Sequence, residues 1–120
     1  MAYVLVFLGG GLGSLARYGV ARLIAPIQGH FPYATLTANL ISCLVLGFML
    51  QQSLRGQVSD AWKWLLMTGF CGGFSTFSTF SGETLSLLQH GHYGTALMNM
   101  GGSLLLGLIC IYLGMRLGAG

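Results

Sequence analysis

The sequence predicts an all-α membrane protein of four transmembrane helices, the third broken at its centre. Three observations carry this. The chain of 120 residues is 54% hydrophobic but only 6% charged, where an ordinary soluble domain has about 25% charged residues. Apolar runs near the roughly 20 residues needed to cross a bilayer recur four times, separated by short polar stretches. There are 20 glycines but two prolines and no collagen-like period, and glycine in apolar sequence serves close helix packing in membranes. Five Lys/Arg and two Asp/Glu cannot cover a soluble globular surface. A mean hydropathy of +0.76 excludes disorder, which needs low hydrophobicity. The expectation is a single four-helix transmembrane domain over residues 1–120.

The first span is expected at about 2–25, with Arg17 and Arg22 inside it. Pro26, Gly29, His30 and Pro32 then break the pattern, as loop residues do. No basic residue precedes the apolar run, and glycines and Arg17 interrupt its continuation, so the segment does not read as a cleaved signal peptide. The second span, about 34–53, carries no formal charge, and Arg55, Gly56, Gln57, Ser59 and Asp60 come after it as a polar loop. The third is expected at about 62–89, with a break near 72–80 where Gly, Ser and Thr crowd the sequence. The fourth is expected at about 95–113, after Gln89-His90-Gly91-His92-Tyr93-Gly94.

Four spans put both termini on one side. That side receives Arg55, Lys63 and Arg116, and the other receives Arg22, with Arg17 deeper in the span. The positive-inside bias is therefore feeble. One orientation with a weak signal fits it, and so does dual topology with chains pairing antiparallel. Four helices of this size rarely enclose a transport path alone, and symmetry favours a dimer. The net charge of +3 comes without a basic cluster, so nucleic acid has no electrostatic footprint here. Cys43, Cys71 and Cys110 lack metal or redox spacing and read as small buried residues.

Gly9 to Gly13 superficially match a dinucleotide fingerprint, but the first acid in the chain is Asp60, too far on to hold a ribose. The spacing Gly9/Gly13 and Gly10/Ser14 instead makes a small-residue packing face. Arg17 either snorkels to the interface, lines an anion-accessible vestibule, or tethers carbonyls of a broken helix. Thr35, Asn39 and Ser42 share one face of the second span, and Asn99, Ser103 and Gly107 repeat every four residues in the fourth. Each stripe serves either interhelical hydrogen bonds or an aqueous path, and two stripes together favour a path.

The segment Gly69-Phe70-Cys71-Gly72-Gly73-Phe74-Ser75-Thr76-Phe77-Ser78-Thr79-Phe80-Ser81 repeats Phe and Ser every three residues. That period matches neither an α-helix nor a strand and suits a 3₁₀ turn or an interrupted helix, with Gly72 and Gly73 giving the backbone freedom to break. Unwound backbone in a bilayer survives only against protein or water. Its carbonyls can bind a cation, and its amides and hydroxyls an anion. Phenyl ring edges are the positive part of the ring quadrupole and can face an anion without a formal charge. Glu83 is the lone acid within a span; it reads as a carboxylate wetted by a vestibule, or as a proton carrier. His90 and His92 alone are no metal site.

These residues resemble the Fluc family of fluoride channels. The resemblance rests on Gly9-Gly10-x-x-Gly13-x-x-x-Arg17-Tyr18, on Thr35-Leu36-x-x-Asn39-Leu40, and above all on Gly69-Phe70-Cys71-Gly72-Gly73 with Thr76 through Ser81. It implies a dual-topology antiparallel homodimer with two pores, exporting fluoride passively across a bacterial-type plasma (inner) membrane. It implies that Phe77 and Phe80 line the fluoride path by their ring edges and that Asn39, with Thr35 one turn before it, donates to the ion. Thr79 and Ser103 match the polar track, and Asn99 stands in the fourth span where some members have another polar residue. Gly72 and Ser75 match positions whose backbone carbonyls hold a structural sodium ion at the dimer interface. Arg17 and Glu83 match vestibule positions. The chain departs from the family pattern at Phe74-Ser75-Thr76, where members often carry Leu-Thr-Thr, and at Ala34, where they often carry Gly; a carbonyl ligand tolerates Ser for Thr.

Fluoride is small and strongly hydrated, so a selective pore must replace its water with several neutral donors that bind without trapping. No nucleophile or acid–base constellation is required, and no enzyme activity is expected. The alternative is a proton-coupled exporter of the small multidrug resistance type using Glu83. Such exporters carry their glutamate in the first span, where this chain has Arg17. A third reading is a non-transporting assembly subunit of a membrane complex.

Overall fold

The computed structural model describes residues 1–24, 31–75 and 77–119. The loop expected at Pro26, Gly29 and His30 lies outside the described residues, as does Thr76. Helix α1 is Ala2–Ile24 and α2 is Tyr33–Leu54. The short α3, Asp60–Trp62, runs directly into a π-helical stretch, Lys63–Cys71, and then α4, Gly72–Phe74. Helix α5 is Phe77–Gln89 and α6 is Tyr93–Ala119.

Helices α1, α2 and α6 are each long and apolar enough to cross a membrane, and the chain is a multi-pass membrane protein. The longest dimension, 47 Å, matches a bilayer with its headgroups, about 40–45 Å. Tyr3, Phe7 and Leu15 on α1 and Leu105 and Leu117 on α6 stand exposed, as lipid-facing side chains do. Residues 62–89 are assembled from shorter pieces rather than one helix.

The ends of the pieces obey local chemistry. Ser59 caps α3, its hydroxyl accepting from the Trp62 amide at 3.4 Å, and Asp60 pairs with Lys63 at 3.7 Å. After α2, Gly56 turns to φ +72° while the Gly56 and Gln57 amides bond back to Ser53 and Gln52. After α5, Gly91 repeats this at φ +80°, with Gly91 and His92 bonding back to Leu88 and Leu87. Both are Schellman closures, which need the left-handed conformation glycine adopts freely.

Packing falls into two pairs. Helix α1 lies on the π-helical stretch and α4, and α2 lies on α6; α2 against the π-helical stretch joins the pairs, and α5 packs chiefly on α6. The contacts are backbone on backbone. A Cβ at Gly9 would collide with the Leu65 carbonyl, one at Gly13 with that of Phe70, and one at Gly114 with that of Leu44. The four-residue spacing of Gly9 and Gly13 is thus a packing face. The core holds Ala38 and Ala96 beside Met49, Phe74 and Leu87, and among the described residues the largest side chain with no exposure is Asn99.

The chain leaves the helical conformation at Ser75, inside the expected 72–80, but not at the glycines. Gly72 and Gly73 do not supply the freedom for an interruption. The helix continues through both, with Gly72 at φ −65° and ψ −36°, and gives way at Ser75, which is extended at φ −94° and ψ 153°. Gly73 serves a close approach instead, since a Cβ there would meet the Gly10 carbonyl. Nor are the described residues of the segment 3₁₀-helical: α5 is α-helical from Phe77 onward.

Candidate functional site

The site is organised around the Cys71 carbonyl, the last of the π-helical stretch. It accepts from the Ser75 amide at 3.1 Å, the Ser75 hydroxyl at 2.7 Å and the Ser42 hydroxyl at 3.3 Å. The Cys71 thiol donates back to the Ser42 carbonyl at 3.7 Å. Ser75 thereby reaches an extended conformation with its amide and hydroxyl both satisfied, as buried polar groups must be. The same bonds fix the height of α2, so that Asn39, three residues before Ser42, stands beside the end of α4.

A groove of about 490 Å³ opens here, walled by Asn39, Ser75, Phe77, Phe80 and Ser103, with Cys43 among the further lining residues. Elements far apart in sequence (α2, Ser75, α5 and α6) therefore converge on one wall. No lining residue carries a formal charge. Phe77 and Phe80 lie with ring centroids 6.1 Å apart and planes tilted by 39°, and Phe77 is 80% exposed on the single chain. The buried Asn39 Oδ1 has no hydrogen-bond partner among the described residues; such an atom calls for water, an ion or another chain.

The remaining expected residues stand elsewhere. Thr35 is buried on α2, outside the groove wall. Thr79 is half-buried at the start of α5 and engaged in an interaction of its own. Asn99 is fully buried and also off the wall: its amide nitrogen donates to Thr84 Oγ1 at 2.9 Å, and its Oδ1 accepts from Ser103 at 3.3 Å. Arg17 donates from Nε to the Gly73 carbonyl in α4 at 3.4 Å. Glu83 lines a separate cavity of about 170 Å³ with Ala21, Ile24 and Tyr33, and its buried Oε1 has no partner among the described residues. Gly72 is exposed, with open space where a Cβ would stand.

Sequence reasoning missed Thr84, whose hydroxyl donates to the Phe80 carbonyl at 2.8 Å. Its signal is the four-residue step from Phe80. Cys43, expected as a small buried residue, is instead half-buried and lines the groove one turn beyond Asn39.

The fold and site define a class: a small multi-pass membrane protein with an uncharged polar and aromatic groove between its helices. The chain belongs to the family described as CrcB-like protein, Camphor Resistance (CrcB), which matches residues 4–115. It is 48% identical over 117 residues to the fluoride-specific ion channel FluC of Thermus thermophilus, covering 97% of this chain and 94% of that one. The FluC of Pyrococcus abyssi is 45% identical over 112 residues, with 92% and 90% covered. That of Escherichia coli is 46% identical over 96 residues, with 79% and 76% covered.

Proposed function

We propose that this chain is a fluoride-selective channel, giving passive export of fluoride across the bacterial plasma (inner) membrane and so lowering cytoplasmic fluoride. The observation that carries this is the groove wall, where an amide, hydroxyls and two phenyl rings meet without a formal charge. Hydroxyl and amide donors replace fluoride's water, ring edges face it with the positive part of their quadrupole, and no fixed cation holds it back. The relatives named as fluoride channels support the choice of ion. Asn39, Phe77, Phe80 and Ser103 are assigned to the ion path, with Thr35, Thr79 and Asn99 on its polar flank. Arg17 and Glu83 are assigned to the vestibules.

The working unit is an antiparallel homodimer of dual topology, in which residues 62–89 form one broken span. Its support is the open groove, exposed Phe77 and the unpartnered Asn39 Oδ1. A second copy would cover the first two and bring donors to the third. Gly72 and Ser75 are assigned as carbonyl ligands of a structural sodium ion, two from each copy. The donor chemistry fits: they stand at the C-terminal, negative end of α4, where the extended Ser75 ends the helical ladder, Gly72 is exposed, and a hard cation takes oxygen ligands. Bound there, sodium would neutralise the massed carbonyl dipoles of the two chains.

Ion flux from liposomes holding the purified protein tests the reading. Rapid fluoride efflux that excludes chloride and needs no proton gradient is expected. Efflux that collapses with the proton gradient would instead mark the Glu83 exporter, and no flux of any ion an assembly subunit.

A further inference from the structure

The hydrogen bonds behind the groove wall run in one direction. The Phe80 carbonyl can only accept, so the Thr84 hydroxyl spends its single proton on it at 2.8 Å. Thr84 Oγ1 must then accept from its other neighbour, which turns the Asn99 NH₂ toward it at 2.9 Å. That leaves Asn99 Oδ1 toward Ser103, and Oδ1 can only accept, so Ser103 spends its own single proton there at 3.3 Å. Donor and acceptor roles are fixed at every step by side-chain chemistry. Asn99 is fully buried and Thr84 is buried, so water does not substitute for either. Ser103 and Phe80, at the two ends of the chain, both line the groove, and the two residues between them do not.

We propose that Asn99 and Thr84 are positioning residues for anion passage: they park the Ser103 proton away from the groove and hold Phe80 at its height on the wall. The proposal rests on the fluoride-channel reading and deepens it. An arriving anion must draw the Ser103 proton off Asn99 Oδ1, and the proton returns when the anion leaves. Ser103 therefore binds an anion more weakly than a free hydroxyl would, which favours release over trapping. Helix α5 packs chiefly on α6, so the Asn99–Thr84 bond is a buried polar tie across the contact that carries Phe80.

The test uses fluoride flux from liposomes as a function of fluoride concentration, with dimer elution as the folding control. Asn99→Leu keeps the branched shape, though not the volume, and removes the acceptor of the Ser103 proton, so the half-saturating fluoride concentration falls by about fivefold, the scale of one neutral hydrogen bond. In a Ser103→Ala background the same substitution leaves that concentration unmoved. Equal shifts in both backgrounds would overturn the proposal, since a packing role for Asn99 does not depend on Ser103. Thr84 gives a second comparison that needs no Asn99 variant. Thr84→Val keeps the shape and loses the hydroxyl, and it lowers maximal flux; Thr84→Ser loses the methyl, keeps the hydroxyl and recovers most of the rate. The reverse order, Val near wild type and Ser impaired, would also overturn it. A wild-type protein that passes no fluoride would fell the channel reading and this inference together, whereas wild-type flux with independent mutant effects would fell this inference alone.

Discussion

Ser42 and Cys71 each hydrogen-bond the other's backbone carbonyl, the hydroxyl at 3.3 Å and the thiol at 3.7 Å. The exchange joins α2 to the end of the π-helical stretch, and with it Asn39 to Ser75 across the groove. Ser42→Ala removes the stronger half. The expected loss is about 0.6–1.5 kcal/mol, read as a lower unfolding midpoint in detergent, together with slower fluoride flux. A stability loss with flux untouched would show that the clasp holds the helices without setting the groove.

Phe80→Ile and Phe77→Ile keep an apolar side chain and remove the ring edge. Each is expected to slow fluoride flux by about tenfold, equivalent to about 1.4 kcal/mol, while the protein still elutes where the wild type does. Unchanged flux in both would sink the role given to the rings.

Gly13→Val and Gly114→Val place a side chain against the carbonyls of Phe70 and Leu44. Both are backbone atoms of a packed helix and cannot swing aside. Overpacking costs typically about 1–3 kcal/mol, so a sharp fall in folded yield is expected. Gly11→Val, with open space around it, is the control and should express normally.

If the proposed sodium site is right, exchange of sodium for a large organic cation during purification lowers the thermal midpoint of the protein. Ser75→Ala should keep that sodium dependence, because the assigned ligand is the carbonyl. A midpoint indifferent to the cation would remove sodium from the assignment.

Gln52 and Arg55 close the end of α6 from α2. Gln52 donates to the Gly118 carbonyl at 2.7 Å, and Arg55 donates to the Gly118 and Ala119 carbonyls at 3.1 and 3.0 Å. A cation at a helix C-terminus complements the dipole. Arg55→Gln is expected to speed hydrogen exchange in the last turn of α6 and leave fluoride flux near wild type.

Helices α1, α2 and α6 were legible because each is a long apolar run bounded by Gly, Pro or charge, which a periodicity reading detects. The Gly9/Gly13 face was legible for the same reason, since its spacing is local. The place where α4 ends was not, because glycine at 72 and 73 signals freedom in isolation, whereas the structure uses Gly73 for a close approach to Gly10. That use depends on α1, more than sixty residues away in sequence. Asn39, Phe77, Phe80 and Ser103 were legible as candidates by type and spacing, and the groove brings them together. Thr84 was hidden, since a threonine four residues after Phe80 looks like any other until Asn99 is laid against it. Asn99 was legible as a polar residue in lipid; its burial behind the wall comes from how α5 docks on α6.

Along the glycine seams the interior has almost nothing soft to rearrange, because the atoms in contact there are backbone. A conventional core absorbs a misfit by repacking leucines and phenylalanines. At these seams carbonyl oxygens face glycine α-carbons instead, and neither side can swing aside. Such a chain drifts freely over its lipid-facing leucines and hardly at all along its glycine seams. Its inherited constraint is a set of places where nothing is allowed to grow.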